Sequence, residues 1–218
     1  AIRGIIPFET IAYREALERA LLREKEDRVY SRWSDAYPKN HSLALKLDEL
    51  GKLPYYTVSY SIITEKSAAA LFESFCRVGG KEGWFETNWM WWLRGLADRL
   101  LMGVGSQRGR RSEADLKIND AIDFWRVEDI RQNQRLLLRA EMKLPGRGWL
   151  EFMIMPQCDG KNKLSIMVYY DTDTLAGMLY WYVFLPFHNI IFNSMIKQIE
   201  TRSLLSNTSK RRVEHFES

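Results

Sequence analysis

The sequence predicts an α+β domain in which an antiparallel sheet lays its apolar face on one long C-terminal helix. Three observations carry this. A strand-like run rich in aromatic and β-branched residues, "YYTVSYSIIT" (55–64), is followed much later by four more at about 121–130, 135–144, 148–156 and 163–171. Those four are joined by "QNQ", "PGR" and "CDGKN", connections short enough that an antiparallel meander is the economical topology. Beyond them comes "TLAGMLYWYVFLPFHNIIFNSMIKQIETRSLL" (174–205), a helix apolar from Leu175 to Ile196.

In chain order, "PFETIAYREALERALLREKED" (7–27) places Ile11, Ala12, Leu17, Ala20 and Leu21 at helical intervals, with Pro7 near the start. Residues 28–54 read as irregular connection with a short helical turn around Leu43 to Leu50. After the first strand, "EKSAAALFESFCRVGG" reads as a helix with Ser67 as N-cap and Gly79-Gly80 as its stop. A tryptophan-rich helix is expected from about Asn88 to Met102, followed by the polar, basic loop "SQRGRRSEADLKIND".

In the strand over 135–144, Leu136, Leu138, Ala140, Met142 and Leu144 alternate with Arg135, Arg139, Glu141 and Lys143. Leu150, Phe152 and Ile154 likewise alternate with Trp149 and Glu151. One sheet face is therefore apolar, and the row Arg139, Glu141 and Glu151 reads as a solvated face with cross-strand ion pairs. The C-terminal helix should cover the apolar face and kink near residue 185 because of Pro186. The organisation expected is an N-terminal helix and connection (1–54), one folded domain (55–205) and a polar tail (206–218).

Composition narrows the function. The 218 residues are 46% hydrophobic, 13% aromatic and 28% charged, with net charge +4 from 32 basic and 28 acidic residues spread along the chain. That describes a globular protein with only a mild bias toward anionic partners. Cys76 and Cys158 make no disulfide framework, so a cytoplasmic location is expected. His41, His188 and His215 lack metal-ligand spacing, so no metal is expected. No basic sheet with stacked aromatics is present to read nucleic acid. The start, "AIRGIIPFET", has neither an initiator Met nor a signal peptide, and reads as a fragment of a longer chain.

The order strand, helix, helix, meander, long helix resembles the helix-grip fold of the START-like (SRPBCC) superfamily, a curved sheet wrapped around the C-terminal helix. The phrases "VGGKEGWFETNWMWWLRGLADRLL", "GRR", "DAIDFWRVEDI", "RLLLRAEMKLPGRGWLEF" and "LAGMLYWYVFLPFHNIIFNSMI" resemble an uncharacterised bacterial domain family over roughly residues 55–203. Its members commonly sit C-terminal to an NAD(P)-binding domain of the atypical short-chain dehydrogenase or NmrA type. Residues 1–35 resemble the end of such a domain. The chain contains no G-x-G-x-x-G loop, so NAD(P) is expected only on the missing upstream domain and no cofactor on this fragment. The resemblance supplies no catalytic residue.

The fold expectation points to an apolar cavity between sheet and helix, lined by Trp89, Trp92, Phe124, Phe152, Tyr180, Phe184 and His188. At about 100° per residue Trp89, Trp92, Leu93, Leu96 and Leu100 share the core face of their helix, whereas Trp91 falls beside Asp98 and Met102 and asks for a partner. His188 shares a face with Trp181, Phe184, Phe192 and Met195, and is either a hydrogen-bonded core residue or the polar group that orients a ligand. "GVGSQRGRR" (103–111) reads as a mobile basic loop or as a phosphate cradle.

The leading expectation is a non-catalytic, accessory ligand-binding domain for a hydrophobic small molecule or lipid, serving the upstream nucleotide-binding domain. A cyclase- or hydrolase-like enzyme using His188 as acid or base is the second reading. The third is a structural domain that docks a partner domain or a lipid surface, with peripheral membrane contact or oligomer formation through the Trp91 region.

Overall fold

The computed structural model describes residues 11–25, 45–79, 83–84, 110–112 and 115–214. The expected tryptophan helix lies outside these residues, and with it Trp89, Trp91 and Trp92. The first helix, α1 (Tyr13–Lys25), leaves its apolar residues Leu17, Leu21 and Leu22 exposed. A 3-10 turn at Leu47–Leu50 ends at Gly51 in the left-handed region (φ 69°), where a residue without Cβ is favoured.

Strand β1 (Tyr56–Thr64) is followed by helix α2 (Ala68–Cys76), whose start is set by Ser67: its Oγ accepts the Ala70 N–H at 3.3 Å. The far end of α2 is capped by a side chain remote in sequence. Buried Arg110 donates to the carbonyls of Cys76 at 2.5 Å and Val78 at 3.2 Å. Its neighbour Arg111 forms a two-pronged pair with Asp120, both contacts 2.8 Å. Both guanidinium groups are thus committed to holding the chain together, which removes them from the phosphate cradle that "GVGSQRGRR" had offered.

The remaining strands are β2 (Ala121–Ile122), β3 (Trp125–Arg131), β4 (Arg135–Ala140), β5 (Arg147–Pro156) and β6 (Asn162–Asp171). All pair antiparallel in the order β1-β6-β5-β4-β3-β2, so the last strand returns to the side of the first. The strand expected over 121–130 is in fact two. Asp123, at φ 53°, turns the chain back after Ile122, a conformation that Asp tolerates better than most residues. The strand expected over 135–144 ends at Ala140, after which the Glu141 N–H bonds to the Phe124 carbonyl at 2.8 Å.

Register follows the two-residue period of side chains. Tyr60, Ile166, Phe152 and Leu136 stand side by side across four strands, and Val58, Val168, Leu150 and Leu138 form the next row. This inner face meets helix α3 (Leu175–Glu214) through Trp181, Ile191, Phe192, Met195, Ile196 and Ile199. Each fully buried side chain of this kind is worth about 1.5–3 kcal/mol relative to exposure. Pro186 lies inside α3 and the helix continues across it. α2 joins the same core through Leu71 and Phe75, and the Ser74 hydroxyl donates to the Ile199 carbonyl at 2.8 Å.

The outer face departs from expectation. Arg139, Glu141 and Glu151 are buried, with Arg126 and Glu128 beside them. A β-bulge between Val127 and Asp129 is responsible for part of this, because it puts two consecutive carboxylates on one side of the sheet. Asp129 pairs with Arg135 at 2.7 Å, while Arg135 also binds Glu151. Arg126 binds Glu141, and Arg139 lies 3.5 Å from Glu128. The 3-10 turn covers this face: Leu47 and Leu50 pack on Leu137, Trp149, Tyr169 and Met167. Buried charges require such pairing, since an isolated one costs several kcal/mol.

Candidate functional site

The site is built where the first half of α3 crosses the inner face near β1 and β6. The helix is fixed there by its N-cap: Thr174 Oγ1 accepts the Gly177 N–H at 3.1 Å, and Thr172 donates to the Pro145 carbonyl at 2.8 Å. Gly177 allows the close approach. A Cβ at that position would lie 2.0 Å from Thr172 Oγ1 and 2.5 Å from the Pro145 carbonyl oxygen.

So anchored, the helix presents aromatic rings to the sheet. Trp181 stacks on Tyr170 with ring centroids 5.7 Å apart and planes 7° apart. Tyr180 lies 4.5 Å from Phe184, and one turn further on His188 sits between Trp181 at 5.5 Å and Phe192 at 5.7 Å. From the sheet, the Tyr60 hydroxyl reaches Asn189 Oδ1 at 2.7 Å, tying β1 to the same helical turn.

His188 is the polar group in this apolar setting. Its Nδ1 is buried and has no hydrogen-bond partner among the described residues. Burial pushes the imidazole pKa down to about 4, so the ring is neutral at neutral pH. A neutral ring can offer either a donor or an acceptor at Nδ1. Burial also raises the Tyr60 hydroxyl pKa and pushes that of Tyr170 up to about 12, so both keep their protons.

Of the residues predicted to line a cavity, Tyr180, Phe184 and His188 are therefore brought together on one helical run. Phe152 points into the same core but toward α2, where it stacks on Phe75 at 5.4 Å. Phe124 lies at the β2–β3 end of the sheet, stacked on Trp84 at 6.2 Å with planes 7° apart. Trp84 in turn donates its indole N–H to Asp123 at 2.8 Å. Trp89 and Trp92 lie outside the described residues. Sequence reasoning missed Tyr60 and Asn189: the inward parity of Tyr60 was readable, but its helical partner was not. Among the described residues no group of three or more His, Cys, Asp or Glu is placed to hold a metal ion.

The family described as "Protein of unknown function (DUF2867)" matches residues 52–195, from the turn before β1 through most of the apolar half of α3. The chain belongs to the DUF2867 family. No curated protein matches it. Among solved structures, this DUF2867 domain is similar to a START superfamily protein from Mycobacterium smegmatis at 14% identity and TM-score 0.37, covering 68% of this chain and 97% of that one. It is similar to the Aha1 dimer from Colwellia psychrerythraea at 9% identity and TM-score 0.36, covering 66% and 96%. An HSP90 activator from Plasmodium falciparum matches at 10% identity and TM-score 0.34, covering 63% and 96%. Likenesses at this level bear on neither ligand nor activity. The helix-grip arrangement of the DUF2867 domain stands on its own six-stranded antiparallel sheet, long C-terminal helix and short α2.

Proposed function

We propose that this chain is an accessory ligand-binding domain that takes a hydrophobic small molecule or lipid between its inner sheet face and α3. The observation that carries the reading is His188 Nδ1, a buried hydrogen-bonding atom with no partner among the described residues, set between Trp181 and Phe192. Leaving such an atom unsatisfied costs about 1–3 kcal/mol. A ligand with an apolar body and one polar group would remove that cost and bury its carbon at roughly 25 cal/mol per Å2. Tyr180 flanks the same run and is a second polar contact for the ligand.

The binding reading is favoured over acid–base catalysis by the His188 environment. An efficient general acid has a pKa near the working pH, and a value of about 4 leaves this imidazole without a proton to give at neutral pH. The resemblance of residues 1–35 to the end of an NAD(P)-binding domain supports an accessory role beside such a domain, with NAD(P) bound there. The free thiols Cys76 and Cys158 support a cytoplasmic setting.

Native mass spectrometry of the purified 218-residue chain tests the reading. A co-purifying apolar molecule is expected, with its retention weakened about tenfold by His188→Leu, the equivalent of one charge-neutral hydrogen bond. A chain that carries no small molecule and takes up no apolar fluorescent probe overturns it.

A further inference from the structure

Most of the apolar surface of α3 does not face the sheet. The helix is long and apolar enough to cross a membrane, yet only 22% of its most apolar window is buried. Leu175 (82% exposed), Leu179 (66%), Tyr182 (61%), Val183 (52%), Phe187 (46%) and Ile190 (61%) all point outward. At 3.6 residues per turn they form a stripe about 22 Å long, spread over an arc of roughly 140°. The same face becomes polar at Asn193, Lys197 and Thr201, so the apolar stripe has a sharp end. Exposed Tyr55 extends it sideways, with ring centroids 5.2 Å from Tyr56, whose ring in turn lies 6.2 Å from Tyr182.

We propose that this face docks on the surface of a lipid bilayer, with the stripe lying in the boundary between headgroups and acyl chains. Three features favour lipid over a protein partner. A single partner helix covers a narrow seam, whereas this arc is wide and is broadened further by a second element. No Asp, Glu, Lys or Arg occurs between Asp173 and Lys197, so the stripe itself offers no charge for a protein partner to pair with. Tyr55 and Tyr182 are the amphipathic side chains that settle at a membrane–water boundary. The helix lies on the bilayer rather than through it, because its opposite face carries Trp181, Ile191 and Phe192 into the core. The docking does not depend on a ligand being held beneath α3.

Co-sedimentation of the chain with phosphatidylcholine vesicles tests this, alongside light scattering without lipid. The chain is expected to bind phosphatidylcholine, with little change when phosphatidylserine or salt is added. Leu179→Glu/Val183→Glu, two exposed positions, is expected to lower partitioning at least about tenfold with unchanged circular dichroism, and Val183→Glu alone to lower it less. Absence of binding overturns the proposal. So does binding only to phosphatidylserine that salt abolishes, or a dimer in solution that ignores vesicles and becomes monomeric in the double variant. Retention of a co-purifying molecule by the double variant separates this outcome from the fate of the ligand-binding reading.

Discussion

The backbone N–H of Leu47 donates to the Glu128 carboxylate at 2.7 Å, so a side chain from β3 holds the 3-10 turn against the outer face of the sheet. The other oxygen of that carboxylate accepts the Trp149 indole N–H at 3.1 Å and faces Arg139 at 3.5 Å. Removing the carboxylate by Glu128→Ala leaves an amide, an indole N–H and a guanidinium without it, and a cost of about 3–5 kcal/mol is expected in urea unfolding. Hydrogen exchange adds a local readout: the Leu47 amide should be protected in the native protein and exchange freely in the variant.

The ion pair between Arg126 and Glu141 is nearly inaccessible to solvent. Loss of one partner by Glu141→Gln should destabilise by about 3 kcal/mol, whereas Arg126→Met/Glu141→Met should cost clearly less than the sum of its single changes, since neither member of the pair is left facing an emptied site, while Arg139, 3.6 Å from Glu141, keeps Glu128 as its other carboxylate. A double-mutant cycle by denaturant unfolding reads this directly. Arg126 also donates to the Asn119 carbonyl at 2.8 Å, so the Arg126→Met half carries a further loss of its own.

His188 makes stability depend on pH. Its folded pKa, about 4, lies below the ordinary value of 6.5, so the unfolded chain binds more protons between those values. The stabilisation is present above pH 6.5 and is lost as pH falls toward 4. Between pH 7 and pH 5 the native protein should lose about 2 kcal/mol from this group alone, and His188→Phe, a ring of similar shape, should remove that part of the slope.

Gly177 should respond to substitution against helix propensity. In an open helix Gly→Ala stabilises by about 1 kcal/mol. Here the new methyl meets Thr172 Oγ1 and the Pro145 carbonyl at 2.0 and 2.5 Å, and the expected result is destabilisation by about 1–3 kcal/mol. Thermal unfolding of Gly177→Ala gives the sign.

The two thiols should differ sharply in reactivity. Burial pushes the Cys76 pKa up to about 12, and Cys158 lies exposed in the β5–β6 turn. A disulfide reagent should therefore titrate Cys158 alone in the native state and reach Cys76 only on unfolding.

Where a local period dictated the outcome, the sequence was a good guide. Aromatic and β-branched composition placed β1, short turn-rich connections bracketed β6, alternation placed β5, and Ser67 marked the start of α2. Tyr180, Phe184 and His188 were legible as a group because residues four apart share a helix face. What escaped depended on single backbone conformations or on distant cover. Asp123 breaks a run that alternates well enough for one strand, and the bulge at Glu128 changes the parity of every outward residue before it. Alternation alone makes the charged row look solvated, because its cover, Leu47 and Leu50, comes from a distant part of the chain. The link between Tyr60 and Asn189 was hidden for the same reason.

The pairing of Tyr56 with Tyr170 has a consequence for how the protein is made. As the chain emerges from the ribosome, β1 precedes the other strands, and its one neighbour among the described strands, β6, follows them all, with α3 still to come. Every other strand can zip to one beside it in sequence. The first strand must therefore wait with an unpaired, aromatic-rich edge while β2 to β5 are made, and closure of the sheet is postponed until β6 has emerged. The step most exposed to misassembly in this sheet is the one that joins its first strand to its last.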